Sequence, residues 1–387
     1  MFCIRNLHGQ ETSFANQFLP EDGRFNFIEL SQKYGYPAEE YNVTTDDGYI
    51  LRIFRIPGKR EARPLLVMHG ILESSDTWII RGNSSLAVTF AALGYDLWFP
   101  NVRGNRYSRQ HVRLNPDLDP EFWDYSIQEH GYYDLSAAID LILNKTGAEK
   151  LSAIAYSQGN TIFYILTSTR PEYNSKIHLL IALAPVSYLN NVGTPLSTLI
   201  NLSPIIYRTS LTLGVNEVFG DKSTVDTILK LFCPLPVIGY GVCIEGFIFP
   251  LAGRDVEELE ASFIPILIGH FPTGTSLKNL YHFGQIGLRK RFAQFDYGIG
   301  ENLLLYNSET PPQYDLEKVN IKVALFVAKN DAISTIPDVD ILKDQLPDVV
   351  QYYVNERAEY NHADYPWARN NDKLLYPQIK KVLDENP

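Results

Sequence analysis

Ser157 lies in Ala155-Tyr156-Ser157-Gln158-Gly159, between an apolar run with strand character (residues 151–156) and a helical stretch that opens near Gln158. A serine on a sharp strand-to-helix turn, flanked two places on either side by small residues, has the sequence of a nucleophile elbow. The small residues are needed because strand and helix cross closely there, and Ala155 and Gly159 meet that need. Read without the strand before it, Ser157 would be an ordinary helix N-cap. A serine hydroxyl at its usual pKa is a weak nucleophile, so it needs a base, and the base needs a carboxylate to orient it. Where such an elbow occurs the chain order is Ser, then Asp or Glu, then His.

His362 is the only histidine after position 282 and is the expected base. Asp331, in Lys329-Asn330-Asp331 directly after the predicted strand 323–328, is the expected acid. Functional groups of open α/β sheets collect at the carboxyl ends of strands. Asp338, Asp340 and Asp344 fall on the next helix, on what reads as an exposed acidic face. Asp364 is too near His362 in sequence to be preferred. Charge developing on a tetrahedral oxygen calls for two backbone N–H donors. The expected pair is Gln158, next after the nucleophile, and Ile71 in His69-Gly70-Ile71-Leu72, where the glycine lets the backbone approach. The chemistry is acyl transfer through a covalent serine intermediate. With no HExxH, no CxxC and no GxGxxG after the first strand, neither a metal nor an organic cofactor is expected.

Such a site needs strands to carry its loops. Residues 41–44 and 50–56 flank Thr45-Asp46-Asp47-Gly48 and read as a hairpin. The run 65–68 is short, continuous and apolar, the pattern of a buried parallel strand. Strands follow at 96–99, 151–156 and 177–183, alternating with helices at 86–93, 135–143 and 160–167; Gly94 and Gly147 stop the first two. This alternation predicts a doubly wound, mostly parallel sheet. The rhythm breaks after Pro185, reads as irregular to about Pro312, then resumes with strand 323–328, helix 339–346, strand 349–354 and a last helix over 377–384. The expected division is a discontinuous α/β core (residues 1–184 and 313–387) interrupted by an inserted cap (185–312). Its apolar runs, 196–206 and 247–251, suit an acyl tunnel or the cap's own core.

Composition bounds the alternatives. The chain has 387 residues, 45% hydrophobic and 20% charged, with Gly 25 and Pro 23, which excludes disorder and collagen-like repeats. Net charge is −11, a poor match for phosphate backbones, so no nucleic-acid partner is expected. No apolar run reaches the roughly 18 residues of a membrane-spanning helix. The first ten residues lack the apolar stretch of a signal peptide, which leaves intracellular residence open. Sequons at Asn42, Asn83, Asn144 and Asn201 are little above chance. Nothing in the sequence speaks to oligomeric state.

Several blocks together resemble one family. They are Tyr34-Gly35-Tyr36-Pro37-Ala38-Glu39-Glu40-Tyr41, Thr45-Asp46-Asp47-Gly48-Tyr49-Ile50-Leu51, Val102-Arg103-Gly104-Asn105-Arg106-Tyr107-Ser108, Glu121-Phe122-Trp123-Asp124-Tyr125-Ser126 and Pro272-Thr273-Gly274-Thr275-Ser276. In this order the chain resembles the animal acid lipases, the gastric and lysosomal lipases with their insect relatives, which have the α/β-hydrolase fold with an inserted cap and lid. The resemblance implies hydrolysis of neutral lipid esters (triacylglycerols or sterol esters) at a lipid–water interface, without a cofactor. It places the triad on Ser157, Asp331 and His362 and the oxyanion donors on Ile71 and Gln158. It also implies a cap disulfide at Cys233 and Cys243, with Cys3 left free, and a secreted or lysosomal location. The family's usual Gly-His-Ser-Gln-Gly reads Ala-Tyr-Ser-Gln-Gly here. Two alternatives stand beside this: a non-catalytic lipid-binding or storage protein, whose sign would be a lost triad member, and a short-chain carboxylesterase.

Overall fold

The computed structural model describes residues 19–59, 63–220, 223–235 and 237–387; Cys3 lies outside the described residues. The chain begins its sheet with β1 (Glu39–Thr44) and β2 (Ile50–Ile56), an antiparallel hairpin. Then come β3 (Pro64–Met68), β4 (Asp96–Pro100), β5 (Leu151–Tyr156) and β6 (Ile177–Leu183). A detached two-stranded ribbon, β7 (Glu217–Val218) with β8 (Thr275–Ser276), lies in the insertion. β9 (Lys322–Val327) and β10 (Val349–Val354) complete the main sheet, whose order is β1-β2-β4-β3-β5-β6-β9-β10. Pairing is antiparallel across β1, β2 and β4 and parallel from β4 to β10.

Every residue of β3 and of β5 is buried. That is why their sequences read as unbroken apolar runs: helices cover both faces of the sheet, so both sets of alternating side chains need apolar surroundings. Leu65, Val67 and Ile154 pack on one face with α1 (Leu86–Ala92) and the last helix (Tyr376–Glu385). Leu66, Met68 and Ala153 pack on the other with α2 (Ser136–Thr146), α3 (Gln158–Thr169) and the helix Ile336–Lys343. That helix starts three residues before the expected 339, because the Thr335 side chain caps it and Pro337 suits its first turn.

Residues 185–312 are not irregular. Between β6 and β9 the chain forms α4 (Leu196–Thr212), α5 (Thr224–Phe232), α6 (Leu277–Arg289) and α7 (Ile299–Tyr306), with shorter turns between them. Helical periodicity is hard to read in α4 because exposed positions are apolar too: Leu199, Leu202, Ile205 and Ile206 are exposed, and Pro204 sits within the helix. Ile200 is the buried residue of α4, so the run 196–206 is mostly solvent-accessible rather than packed in a core of the insertion; Phe247 is likewise exposed.

Cys233 and Cys243 are joined by a disulfide with Cα atoms 5.8 Å apart, tying the end of α5 to the helical segment Tyr240–Ile248. Closing a loop of about ten residues stabilises by roughly 2.7 kcal/mol in the chain-entropy model. Replacing both cysteines by serine is therefore expected to lower unfolding stability by about 2–3 kcal/mol and to speed proteolytic cleavage within residues 224–248. Denaturant titration with limited proteolysis checks it; an unchanged cleavage pattern would count against a role for the bond in holding this segment.

Candidate active site

β5 runs straight into α3, and Ser157 is the single residue between them. Its backbone has φ 52° and ψ −121°, a conformation that L-residues with side chains rarely adopt. The turn is tight because a Cβ on Gly159 would stand 2.9 Å from the His69 carbonyl oxygen and 3.0 Å from that of Met68. Glycine there lets α3 lie against the end of β3. Gln158 is the first residue of α3, where backbone N–H groups have no partner within the helix. Ile71 lies in the turn directly after β3, followed by Leu72 at φ 59°.

Two other sheet loops meet the serine. His362 Nε2 stands 2.9 Å from Ser157 Oγ, and His362 Nδ1 stands 2.8 Å from Asp331 Oδ2. All three side chains are buried. The other carboxylate oxygen, Asp331 Oδ1, accepts the Ile333 and Ser334 N–H groups at 2.9 and 2.7 Å, which fixes the carboxylate's rotation. The competing aspartates are elsewhere. Asp338, expected on an exposed face, is buried at the start of its helix, where it accepts the Asn190 and Asn191 N–H groups. Asp340 accepts the Tyr352 hydroxyl. Asp364 accepts the Asn361 N–H, and burial pushes its carboxyl well above the usual carboxylate range.

Further residues hold this constellation. The Tyr156 hydroxyl donates to the His362 carbonyl at 3.0 Å, and its ring packs against the His362 ring at 5.0 Å between centroids. The Ala252 carbonyl, from the insertion, accepts both the His362 and the Ala332 N–H, at 3.1 and 3.3 Å. Gly253 follows at φ 106°; a Cβ there would come within 2.0 Å of the Asn330 carbonyl oxygen, so only glycine fits between the acid and base loops.

Glu73, just past the Ile71 turn, is buried, and its Oε2 accepts the Gly70 N–H at 2.9 Å. Burial pushes its carboxyl up to about 8, against the opposing pull of the Gly70 and Thr77 hydrogen bonds. In the unfolded chain the same group titrates near 4.5. The folded state therefore holds the proton more tightly, and the stability contributed by protonated Glu73 is lost as pH rises from about 4.5 through 8. Glu73→Gln keeps the acceptor and removes the titration. Its melting temperature relative to wild type is expected to climb between pH 4.5 and pH 8; a difference independent of pH would mean that Glu73 is not held protonated.

Among the described residues no group of three or more His, Cys, Asp or Glu side chains is placed to hold a metal ion, and no helix is long and apolar enough to cross a membrane.

A parallel sheet with a strained serine elbow after β5 and the other loops at the same strand ends makes this an α/β hydrolase. Residues 63–202 match the family described as alpha/beta hydrolase fold, and residues 27–82 the one described as partial alpha/beta-hydrolase lipase region. Carboxylesterase CesB from Bacillus subtilis, 10% identical, superposes with a TM-score of 0.52 over 97% of this chain and 98% of its own, a likeness of fold alone. The chain is 36% identical to Lipase 1 of Drosophila melanogaster, over 97% of this chain and 84% of that one. It is 33% identical to gastric triacylglycerol lipase of Bos taurus, over 99% and 98% of the two chains. To lysosomal acid lipase/cholesteryl ester hydrolase of Macaca fascicularis it is 32% identical, over 97% and 95%. The chain belongs to the family of gastric and lysosomal acid lipases and is an ester hydrolase.

Proposed function

We propose that the protein hydrolyses carboxylic esters of neutral lipids, triacylglycerols or sterol esters, through an acyl-enzyme formed on Ser157. The observation that carries this reading is the hydrogen-bonded line from Ser157 Oγ through the His362 ring to Asp331, at 2.9 and 2.8 Å. The Ser157 hydroxyl gives its proton to His362 Nε2 as Oγ attacks the ester carbonyl. The N–H groups of Ile71 and Gln158 hold the oxyanion, and Asp331 orients the imidazole and stabilises its charge. His362 then protonates the departing alcohol. A water, deprotonated by His362, releases the fatty acid and restores the serine.

Residues 185–312 act as a cap over this site. The lipid–water interface is its docking partner: Leu199, Leu202, Ile205 and Ile206 present one apolar helix face to solvent, and Leu304 of α7 is 86% exposed. Exposed apolar area of this kind is costly in water and is relieved on a lipid surface. Location in a secretory or lysosomal lumen is supported by the Cys233–Cys243 bridge, which persists in oxidising compartments, and by the named relatives.

A panel of esters from butyrate to oleate, with cholesteryl oleate, tests the substrate class. Turnover of emulsified trioleoylglycerol or cholesteryl oleate well above that of soluble butyrate esters is expected. Confinement of activity to butyrate esters would make the protein a short-chain carboxylesterase instead. No turnover of any of them would favour a lipid-binding role.

A further inference from the structure

The block Pro272–Ser276 stands out in the sequence, and the acyl-transfer reading gives it no role. It lies in the insertion, just before α6, yet it reaches the turn after β3 that holds Ile71, and the first turn of α6 reaches Gln158. The Thr273 N–H donates to the Leu72 carbonyl at 2.7 Å, and the Thr273 hydroxyl donates to the Glu73 carbonyl at 2.9 Å. Leu72, directly after Ile71, is held at φ 59°, a left-handed conformation that is unfavourable for a leucine and persists only where surroundings impose it. Six residues further on, Asn279 in the first turn of α6 donates through Nδ2 to Gln158 Oε1 at 2.8 Å. Thr273 and Asn279 are both fully buried.

The segment is itself held firmly. The Asn279 N–H donates to Ser276 Oγ at 2.9 Å, Asn279 Nδ2 also reaches Thr275 Oγ1 at 3.1 Å, and the Ser276 hydroxyl donates to the Tyr125 carbonyl. A Cβ on Gly274 would lie 2.9 Å from the Gly104 carbonyl, so the segment is seated against the core loop.

We propose that Thr273 and Asn279 are positioning residues for the oxyanion hole, so that the insertion sets the geometry of transition-state stabilisation as well as covering the site. Thr273 fastens the left-handed turn that aims the Ile71 N–H, and Asn279 fastens the residue that carries the second N–H. This rests on the acyl-transfer reading above. Loss of one oxyanion donor costs about 10²–10³ in kcat. A donor displaced but still present should cost less, on the order of 10-fold for each variant.

The test uses the full-length protein, with Thr273→Val, Thr273→Ser and Asn279→Ala assayed per active site titrated with a fluorophosphonate. A butylboronic acid serves as a tetrahedral probe: boron binds Ser157 Oγ, the hydroxyl proton passes to His362, and a boronate oxygen takes the oxyanion position. Thr273→Val and Asn279→Ala should each lower kcat on p-nitrophenyl butyrate about 10-fold with KM changed less than about twofold. The boronate should weaken in parallel, and Thr273→Ser should restore wild-type values. A merely structural role would reduce the number of titratable sites without changing kcat per site, and that result overturns the proposal. If one variant fails to fold the other decides, and failure of both assigns these residues to folding and rejects it. Ser157→Ala run alongside separates the two claims: retained activity there removes the acyl-transfer reading itself, whereas lost activity with unchanged Thr273 and Asn279 variants removes only this inference.

Discussion

Ser157→Ala should lose ester hydrolysis by a factor on the order of 10⁶ in kcat, while its folded structure and melting temperature stay close to those of wild type. The proposed mechanism gives Ser157 Oγ the bond-forming role, and no other hydroxyl or thiol stands within hydrogen-bonding reach of His362 Nε2 among the described residues. The fold should be indifferent because the strain at Ser157 belongs to the backbone, at φ 52°, and alanine bears it as serine does. What disappears is one hydrogen bond to His362. Ser157→Gly provides an internal control. Glycine adopts positive φ without the steric cost, so this variant should be equally inactive yet at least as stable as Ser157→Ala. Release of p-nitrophenol from butyrate and decanoate esters, with thermal unfolding of the same samples, checks both. Near-wild-type turnover by either variant would sink the assignment of the nucleophile.

The core and the juxtaposition of Ser157, His362 and Asp331 are legible in sequence for related reasons. Parallel strands covered on both faces must be continuously apolar, so 65–68, 151–156 and 177–183 stand out from their helices. Their carboxyl ends are then known, and a serine, an aspartate and a histidine in the right order at such ends leave few choices. The insertion reads as irregular because its helices are separated by Pro- and Gly-containing turns and do not alternate with strands of the main sheet, although α5 and α6 are amphipathic. α4 carries a polar face at Asn201, Arg208 and Thr212, but it buries little beyond Ile200 and leaves leucines and isoleucines exposed beside that face, so apolarity there does not mark burial. Asp338 misleads for the opposite reason: an acidic residue on a short helix reads as solvated, but here it satisfies buried N–H groups of a loop nearly 150 positions away.

The supporting residues are hidden for a third reason. Tyr156, Ala252, Thr273 and Asn279 act across separations of about 80 to 210 residues, so that even where a residue lies in a recognisable block, as Tyr156 and Thr273 do, its partner is not marked in the local sequence. Tyr156 did leave a trace, as the departure from Gly-His-Ser-Gln-Gly. The structure gives that departure a physical content: a phenol at this position reaches the His362 carbonyl.

Asp331→Asn and His362→Ala should each cripple turnover, by about 10⁴-fold and up to about 10⁶-fold. The aspartate case follows from how the carboxylate is held. Asp331 Oδ1 accepts the N–H groups of Ile333 and Ser334, so an asparagine keeps its carbonyl oxygen on that side and turns its NH₂ toward His362. Facing a donor, His362 Nδ1 must become an acceptor, and the ring proton moves to Nε2. The nitrogen 2.9 Å from Ser157 Oγ then has no lone pair with which to take the serine proton. Geometry is preserved and the base is lost. Adding Ser157→Ala to either variant should cost little more, since the three groups act as one unit and their effects do not add. Asp338→Asn and Asp364→Asn are the discriminating controls. Asp338 serves the N–H groups of Asn190 and Asn191 and Asp364 that of Asn361, and neither hydrogen-bonds the His362 ring, so each change should affect stability more than kcat. If Asp364→Asn or Asp338→Asn proves the more damaging to kcat, Asp331 is not the orienting acid, and the short contact to His362 Nδ1 has a structural meaning only.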